Sequence, residues 1–140
     1  MLIRSILACG VAAMLLAGCA TTSPDAGGDD LFSGGRVSAA ETTRRAKAAA
    51  RHPLGSRENP VRVNMPAGQR NYLTRLRCSD GAAPAFVRVG NFGAGIYGSI
   101  IDGYEVTCLG GQPARSLIFM DMYHPDHVET AAPPGFTLAR

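Results

Sequence analysis

The hydrophobic positions divide the chain into three zones. Residues 5–16 are a nearly unbroken apolar run, residues 20–53 are mostly small and polar, and from residue 54 onward short apolar stretches alternate with turn residues. The first run is shorter than the roughly 20 residues that a transmembrane helix needs, and it is typical of the apolar part of a signal peptide. The pattern predicts a leader, a linker and one small domain.

The third zone has the two-residue periodicity of β-strands. Strands are predicted at 60–64, 86–89, 100–108 and 116–123. The stretch 116–123 is the most apolar and is expected at the centre of the sheet. Residues 69–78 fit either a strand or one face of a helix, and the strand is favoured because a turn follows directly. The fold class is therefore predicted to be mainly β, a small antiparallel sheet or partial barrel.

A short helix is predicted inside the linker. Ser38 and Glu41 have the spacing of a capping box, and Glu41 and Arg45 stand one turn apart. Pro53 ends the run, because the residue before a proline disfavours helix. The helix is basic with almost no large apolar side chain, so we interpret it as a solvated spacer. The alternative is a contact with anionic lipid head groups or peptidoglycan.

Residues 16–19 read Leu-Ala-Gly-Cys directly after the apolar run. This tetrapeptide resembles the lipobox of bacterial lipoproteins. The resemblance implies a lipoprotein signal peptide, cleavage just before Cys19, and acyl chains such as palmitate on Cys19, which together anchor a protein firmly. In the same family Ala20, in the second position, implies the outer membrane, facing the periplasm. The alternative is an ordinary signal peptide cut after Ala20.

The resemblance also bears on the four cysteines. If Cys9 leaves with the leader and Cys19 is lipidated, only Cys78 and Cys108 remain, in an oxidising compartment. We predict a disulfide between them, worth roughly 3–4 kcal/mol for a loop of this length. Metal ligation by the pair is the alternative. The expected organisation is a signal peptide over 1–18, a lipidated cysteine and flexible tether over 19–53, and a β-rich periplasmic domain over 54–140.

The charge distribution argues against a nucleic-acid partner. The net charge is +3, and between Arg57 and Leu138 seven arginines balance seven acidic residues. The positive excess lies in the linker and at Arg140. A nucleic-acid surface needs a concentrated basic patch, which this balance does not predict.

A polar cluster follows the last predicted strand. His124, Asp126, His127 and Glu129 place two imidazoles and two carboxylates within six residues. All four side chains are able to bind zinc, but their spacing matches no established zinc motif, and such a run is more often a polar turn. We assign no metal and no cofactor, and keep a metal-dependent hydrolase as an alternative.

Residues 93–98 match the pattern G-x-G-x-x-G. A dinucleotide-binding fingerprint requires a helix after the glycines, whereas a strand pattern follows here. We therefore predict a glycine-rich loop over 90–98 that presents Asn91, Phe92 and Tyr97 for recognition.

Two acidic residues fall inside predicted strands. Asp121 interrupts the most apolar strand, and a buried carboxylate must be paired or protonated. Arg75 and Arg77 are the candidate partners. Asp102 lies in the strand predicted at 100–108, and its carboxylate must likewise be paired or protonated if it is buried.

Residues 55–136 are similar to small uncharacterised proteobacterial lipoproteins at 58–61, 75–81 and 120–123. That grouping implies no activity. We predict a non-enzymatic cell-envelope module that binds a protein or peptidoglycan. A further alternative is a small periplasmic inhibitor similar in build to the lysozyme-inhibitor lipoproteins, suggested by the Cys-Ser-Asp-Gly turn at 78–81.

Overall fold

The structure is a computed structural model, and it describes residues 37–140. The predicted leader, the predicted lipidation site Cys19 and the linker up to residue 36 lie outside the described residues. In the described part the chain is mainly strand, as predicted, with two short helices. The elements are α1 (Ala39–Ala49), β1 (Val61–Arg62), α2 (Met65–Arg75), β2 (Leu76–Arg77), β3 (Ala85–Ala94), β4 (Ile100–Thr107), β5 (Arg115–Asp121) and β6 (Thr137–Leu138).

Four strands form the main sheet, in the order β1-β5-β4-β3. The pairs β3–β4 and β4–β5 are antiparallel, as expected, but β1 runs parallel to β5, so the sheet is mixed. A parallel neighbour requires a long connection, and here most of the domain lies between β1 and β5. The prediction that 116–123 is central is confirmed, since β5 lies between β1 and β4. The short strands β2 and β6 form a separate antiparallel pair.

The register assigns the side chains to two faces. One row of paired residues across the sheet contains Val61, Met120 and Asp102. The neighbouring row contains Arg62 and Asp121. Because side chains alternate along a strand, these two rows point to opposite faces. The face that carries Val61 and Met120 packs on the buried side chains of α2 and forms the hydrophobic core. The opposite face, which carries Asp121, does not belong to this core.

The strand predicted at 69–78 is wrong over most of its length. Residues up to Arg75 belong to α2, and only Leu76 and Arg77 form a strand. Gln69, Tyr72 and Leu73 recur at helical spacing, and all three are buried. The turn after residue 78 is real, but it follows the two-residue strand β2 rather than a long one.

The linker helix is confirmed as α1. The Ser38 side chain accepts a hydrogen bond from the Glu41 backbone N–H, and Glu41 pairs with Arg44 and Arg45. These two hydrogen-bonded guanidinium groups lower the pKa of Glu41 to about 2. The helix is not a solvated spacer, however. Arg45 donates to the Ile96 carbonyl at 2.9 Å, and Ala49 is fully buried.

The disulfide between Cys78 and Cys108 is confirmed, with a Cα–Cα distance of 6.0 Å. Cys78 follows β2 and Cys108 follows β4, so the bond joins the small sheet to the main one. Both cysteines are buried. Within residues 37–140, neither helix combines the length and the apolar character needed to cross a bilayer.

Candidate functional site

A cleft of about 440 Å³ opens between α1 and the end of the sheet where β1 and β5 pair. One wall is the start of α1, with Thr42 and Thr43. The opposite wall is the segment directly after β5, and the floor comes from Arg62 of β1 and from the hairpin between β3 and β4. Four separate stretches of chain therefore build it, and its described lining is Val37, Ala39, Thr42, Thr43, Arg62, Tyr97, Ser99, Tyr123, His124, Pro125, Asp126 and His127.

Two rings and a guanidinium group lie in contact at the floor. The Arg62 guanidinium lies 5.6 Å from the centre of the Tyr97 ring, a cation–π contact. The His124 ring packs against the same tyrosine in a T-shaped arrangement, with 4.7 Å between ring centres. Tyr97 is only 3% exposed, and its burial raises the pKa of its phenol, so the hydroxyl stays protonated at neutral pH.

A buried carboxylate lies behind these rings. Asp121 is fully buried, and it accepts hydrogen bonds from the Ser99 hydroxyl and from the Tyr123 backbone N–H. His124 Nε2 lies 3.5 Å from Asp121 Oδ1, and the His124 side chain is only 9% exposed. The contact does not meet hydrogen-bond geometry, and within the described residues Nε2 has no hydrogen-bond partner.

The order of these groups differs from that of a nucleophilic triad. In a triad the imidazole lies between the hydroxyl and the carboxylate, so that it takes the hydroxyl proton. Here Asp121 lies in the middle, and Ser99 donates to the carboxylate. The bond to Asp121 holds Ser99 in the cleft lining and directs its proton to a carboxylate instead of the imidazole, which suits binding better than attack by Ser99.

The prediction that Arg75 or Arg77 pairs with Asp121 is wrong. Arg75 donates to the Ala139 carbonyl, and Arg77 donates to the carbonyls of Thr74 and Leu76. Both arginines lie at the end of α2 and in β2, which pairs with β6, whereas Asp121 is on the sheet face that does not carry the core. The Ser99 hydroxyl and the Tyr123 backbone N–H donate to Asp121 in place of the predicted arginine.

Asp102 is buried on the core face, where it belongs to a separate network. Arg88 donates to one carboxylate oxygen at 2.7 Å and Gln69 donates to the other at 3.0 Å, while the Tyr104 hydroxyl donates to Gln69. Burial acts to raise the pKa of Asp102, but the two hydrogen bonds and the charge of Arg88 outweigh it and hold the pKa below its usual value. Every member has a partner, which is typical of a structural network.

The four candidate metal ligands separate into different environments. His127 Nε2 lies 3.2 Å from Glu129, whose other oxygen accepts two backbone N–H groups, while His124 faces Asp121 and Asp126 is exposed. Between residues 37 and 140 no group of three or more such side chains is arranged to hold a metal ion.

The glycine-rich segment does not form the predicted recognition loop. Its first half belongs to β3, where Phe92 packs against Phe119 with 5.0 Å between ring centres and lies over Gly103, at which a Cβ would overlap the ring. Tyr97 is buried in the cleft floor. Of the three side chains expected to be presented, only Asn91 is exposed. A strand, β4, follows the glycines where a dinucleotide site needs a helix.

Comparisons of the chain with family models, with curated proteins and with solved structures give no significant match. The assignment of function therefore rests on the residues themselves. Of the residues that line the cleft, the sequence predicts His124, Asp126, His127 and Tyr97 as candidates, but not Arg62, Ser99 or Tyr123. The only signal for Arg62 was its place in an alternating stretch.

Proposed function

We propose that this chain is a lipid-anchored, non-enzymatic protein of the bacterial cell envelope, and that its folded domain binds a partner in the cleft. The observation that carries the proposal is the cleft itself. Its volume lies within the range of about 300–1,000 Å³ typical of ligand sites, and it combines aromatic rings with a few convergent polar groups.

The cleft walls are held in place before any ligand arrives. Arg45 ties α1 to the β3–β4 hairpin, and Asp121 fixes Ser99 and the backbone of Tyr123. A preformed site loses little conformational freedom when it binds, which favours affinity. This supports binding as the role of the site.

The anchor is proposed from the lipobox resemblance at residues 16–19. Several acyl chains on Cys19 attach a protein stably to a membrane, whereas a single chain does not. Ala20 favours the outer membrane by the family's sorting rule. The domain then faces the periplasm, and its partner is an envelope protein or peptidoglycan.

The binding proposal is tested by photo-crosslinking in whole cells. A photoreactive amino acid replaces Asp126, which is exposed and lines the cleft. The matched control carries it at Leu109, which is 94% exposed and does not line the cleft. We expect a discrete adduct from position 126 alone. No adduct at position 126, or the same adduct from both positions, would contradict the proposal.

The anchor is tested by labelling cells with radioactive palmitate. Cys19→Ser should lose the label, because no thiol remains to carry the lipid. Cys9→Ser is the matched control, since this cysteine lies in the predicted leader and should leave labelling intact. Equal labelling of the Cys19→Ser protein and the wild type would overturn the anchor.

A further inference from the structure

We infer that the ligand of the cleft carries a carboxylate group, and that Arg62 holds it. The inference rests on the proposed role of the cleft as a ligand site, and it names the chemistry which that site recognises. It comes from the position of Arg62, from the groups that surround it, and from the balance of charge along the cleft wall.

Among residues 37–140, no hydrogen-bond partner occupies the edge of the Arg62 guanidinium. A guanidinium group is flat and carries five N–H donors around its edge. The Tyr97 ring lies against the guanidinium at 5.6 Å and provides a rigid aromatic support for it. That edge matches the two oxygens of a carboxylate, which it binds in a bidentate manner.

Within residues 37–140, no carboxylate lies within ion-pair distance of Arg62, and its side chain makes no hydrogen bond to another described residue. Other arginines of the domain are paired: Arg88 with Asp102, and Arg115 with Glu105. A partly buried guanidinium that no described carboxylate pairs with is incompletely compensated for its lost hydration. An anionic ligand removes that cost, and this is the physical reason for its recognition.

The surrounding charges leave Arg62 as the dominant group. Of the described residues that line the cleft, Arg62 is the only Arg or Lys, and Asp126, exposed to solvent, is the only acid. Asp121 is the cross-strand neighbour of Arg62, but no Arg62–Asp121 ion pair forms within 4 Å; the Ser99 hydroxyl and the Tyr123 N–H donate to its oxygens, and His124 Nε2 faces it. Its oxygens are therefore occupied by neighbours other than Arg62.

The wall also suits a ligand larger than a bare ion. The His124 side chain is more than nine-tenths buried and contributes an aromatic ring, and Thr42 also lines the cleft. The volume of about 440 Å³ accommodates a few amino-acid residues or a small dicarboxylic acid. A carboxylate on a short peptide and one on a small acid are the two sources of the same chemistry.

The test titrates the full chain, purified in detergent, with three probes: acetyl-trialanine with a free carboxylate, the same peptide as its amide, and glutarate. Binding is followed by the ring-proton NMR signals of His124. We expect the free peptide acid to bind about tenfold more tightly than its amide, since a charge-assisted bidentate contact is lost in the amide. Stronger binding of glutarate than of the peptide acid identifies a small acid as the source.

Arg62→Gln should remove the preference for acid over amide, and Arg62→Lys should keep part of it because the charge remains. Arg115→Gln is the matched control, since Arg115 is 72% exposed and lies outside the cleft lining. Unchanged amide signals of β4 and β5 verify that each variant is folded. An acid preference that persists in Arg62→Gln would overturn the inference.

The failure of this inference is distinguishable from the failure of the proposed function. Equal binding of acid and amide, or no binding of any probe, overturns the carboxylate assignment while the crosslinked adduct at position 126 still supports a binding cleft. Loss of the adduct together with all probe binding overturns both.

Discussion

Asp121 is a carboxylate placed between apolar neighbours in β5, and no permanent positive charge compensates it within 4 Å in the described part of the chain. Two hydrogen bonds, from Ser99 and from the Tyr123 N–H, take the place of an ion pair. The same bonds hold Ser99 and Tyr123, two of the residues that line the cleft. A single buried side chain thus links the stability of the sheet end to the shape of the site.

Asp121→Ala should therefore lower the free energy of unfolding by about 1–3 kcal/mol, because it leaves the Ser99 hydroxyl and a backbone N–H without an acceptor. Asp121→Asn, which keeps one acceptor oxygen, should cost less. Urea denaturation measures both. Asp126→Ala, at an exposed position nearby, serves as the control and should change stability by no more than about 0.5 kcal/mol. A similar loss in the control would contradict the assigned role.

Asp102 is predicted to make stability depend on pH. Its hydrogen bonds from Arg88 and Gln69 hold its pKa below the value of about 3.9 expected in the unfolded chain. A lowered pKa in the folded state means that the ionised carboxylate stabilises the fold above about pH 4, and that this contribution is lost as the pH falls through the folded pKa.

The measurement compares the unfolding free energy of the wild type with that of Asp102→Asn between pH 7 and pH 2.5. The difference should be largest at neutral pH and shrink in acid, where the protonated acid resembles the amide. Glu105→Gln is the control, because Glu105 forms an exposed pair with Arg115 and such pairs contribute little. A difference that stays constant with pH would refute the prediction.

At the scale of elements, the two helices show what local sequence is able to specify. α1 was predictable because a capping serine marks its start and the Glu41–Arg45 pair lies within it, although the helix ends at Ala49, before Pro53. α2 was not, because Tyr72 and Leu76 fit both a helical face and an alternating strand. Only packing decides there: the core of the sheet accepts Tyr72 and Leu73 together, which a strand would send to opposite faces.

The cleft could not be predicted from the sequence for a related reason. Arg62 and His124 are 62 positions apart, and they meet because β1 pairs in parallel with β5. That pairing joins strands that are far apart in the sequence, and β1 is only two residues long, so local sequence gives little indication of it. The cluster at 124–129 was visible in the sequence, but the chemistry assigned to it depended on neighbours that only the fold supplies.

Ser38→Ala should loosen α1 without unfolding the domain. It removes the acceptor for the Glu41 N–H, a change that costs about 1 kcal/mol at a helix N-cap. Amide hydrogen exchange in α1 should therefore become about fivefold faster, whereas exchange in β4 and β5 should not change. Ser38→Asp keeps an acceptor and should exchange like the wild type. Equal acceleration in the sheet would show that α1 does not open separately.

At the scale of the whole molecule, the domain has a small core and two separate sheets, one of four strands and one of two. The main sheet and the β2–β6 pair are connected covalently by the Cys78–Cys108 disulfide, which closes a loop of 30 residues. Small domains gain most from such a bond, because their hydrophobic cores alone provide a narrow margin of stability. The bond lies away from the residues of the cleft lining.

Replacing both cysteines by serine should lower the free energy of unfolding by roughly 3–4 kcal/mol, the loop-closure entropy that the disulfide removes from the unfolded chain. Urea denaturation of the oxidised wild type, the reduced wild type and the double variant measures it. The reduced wild type is the matched control, because it keeps both side chains and lacks only the bond. If the loss comes from chain entropy, the reduced protein and the variant should unfold at similar urea concentrations. A reduced protein as stable as the oxidised one would show that the core holds the two sheets together without the bond.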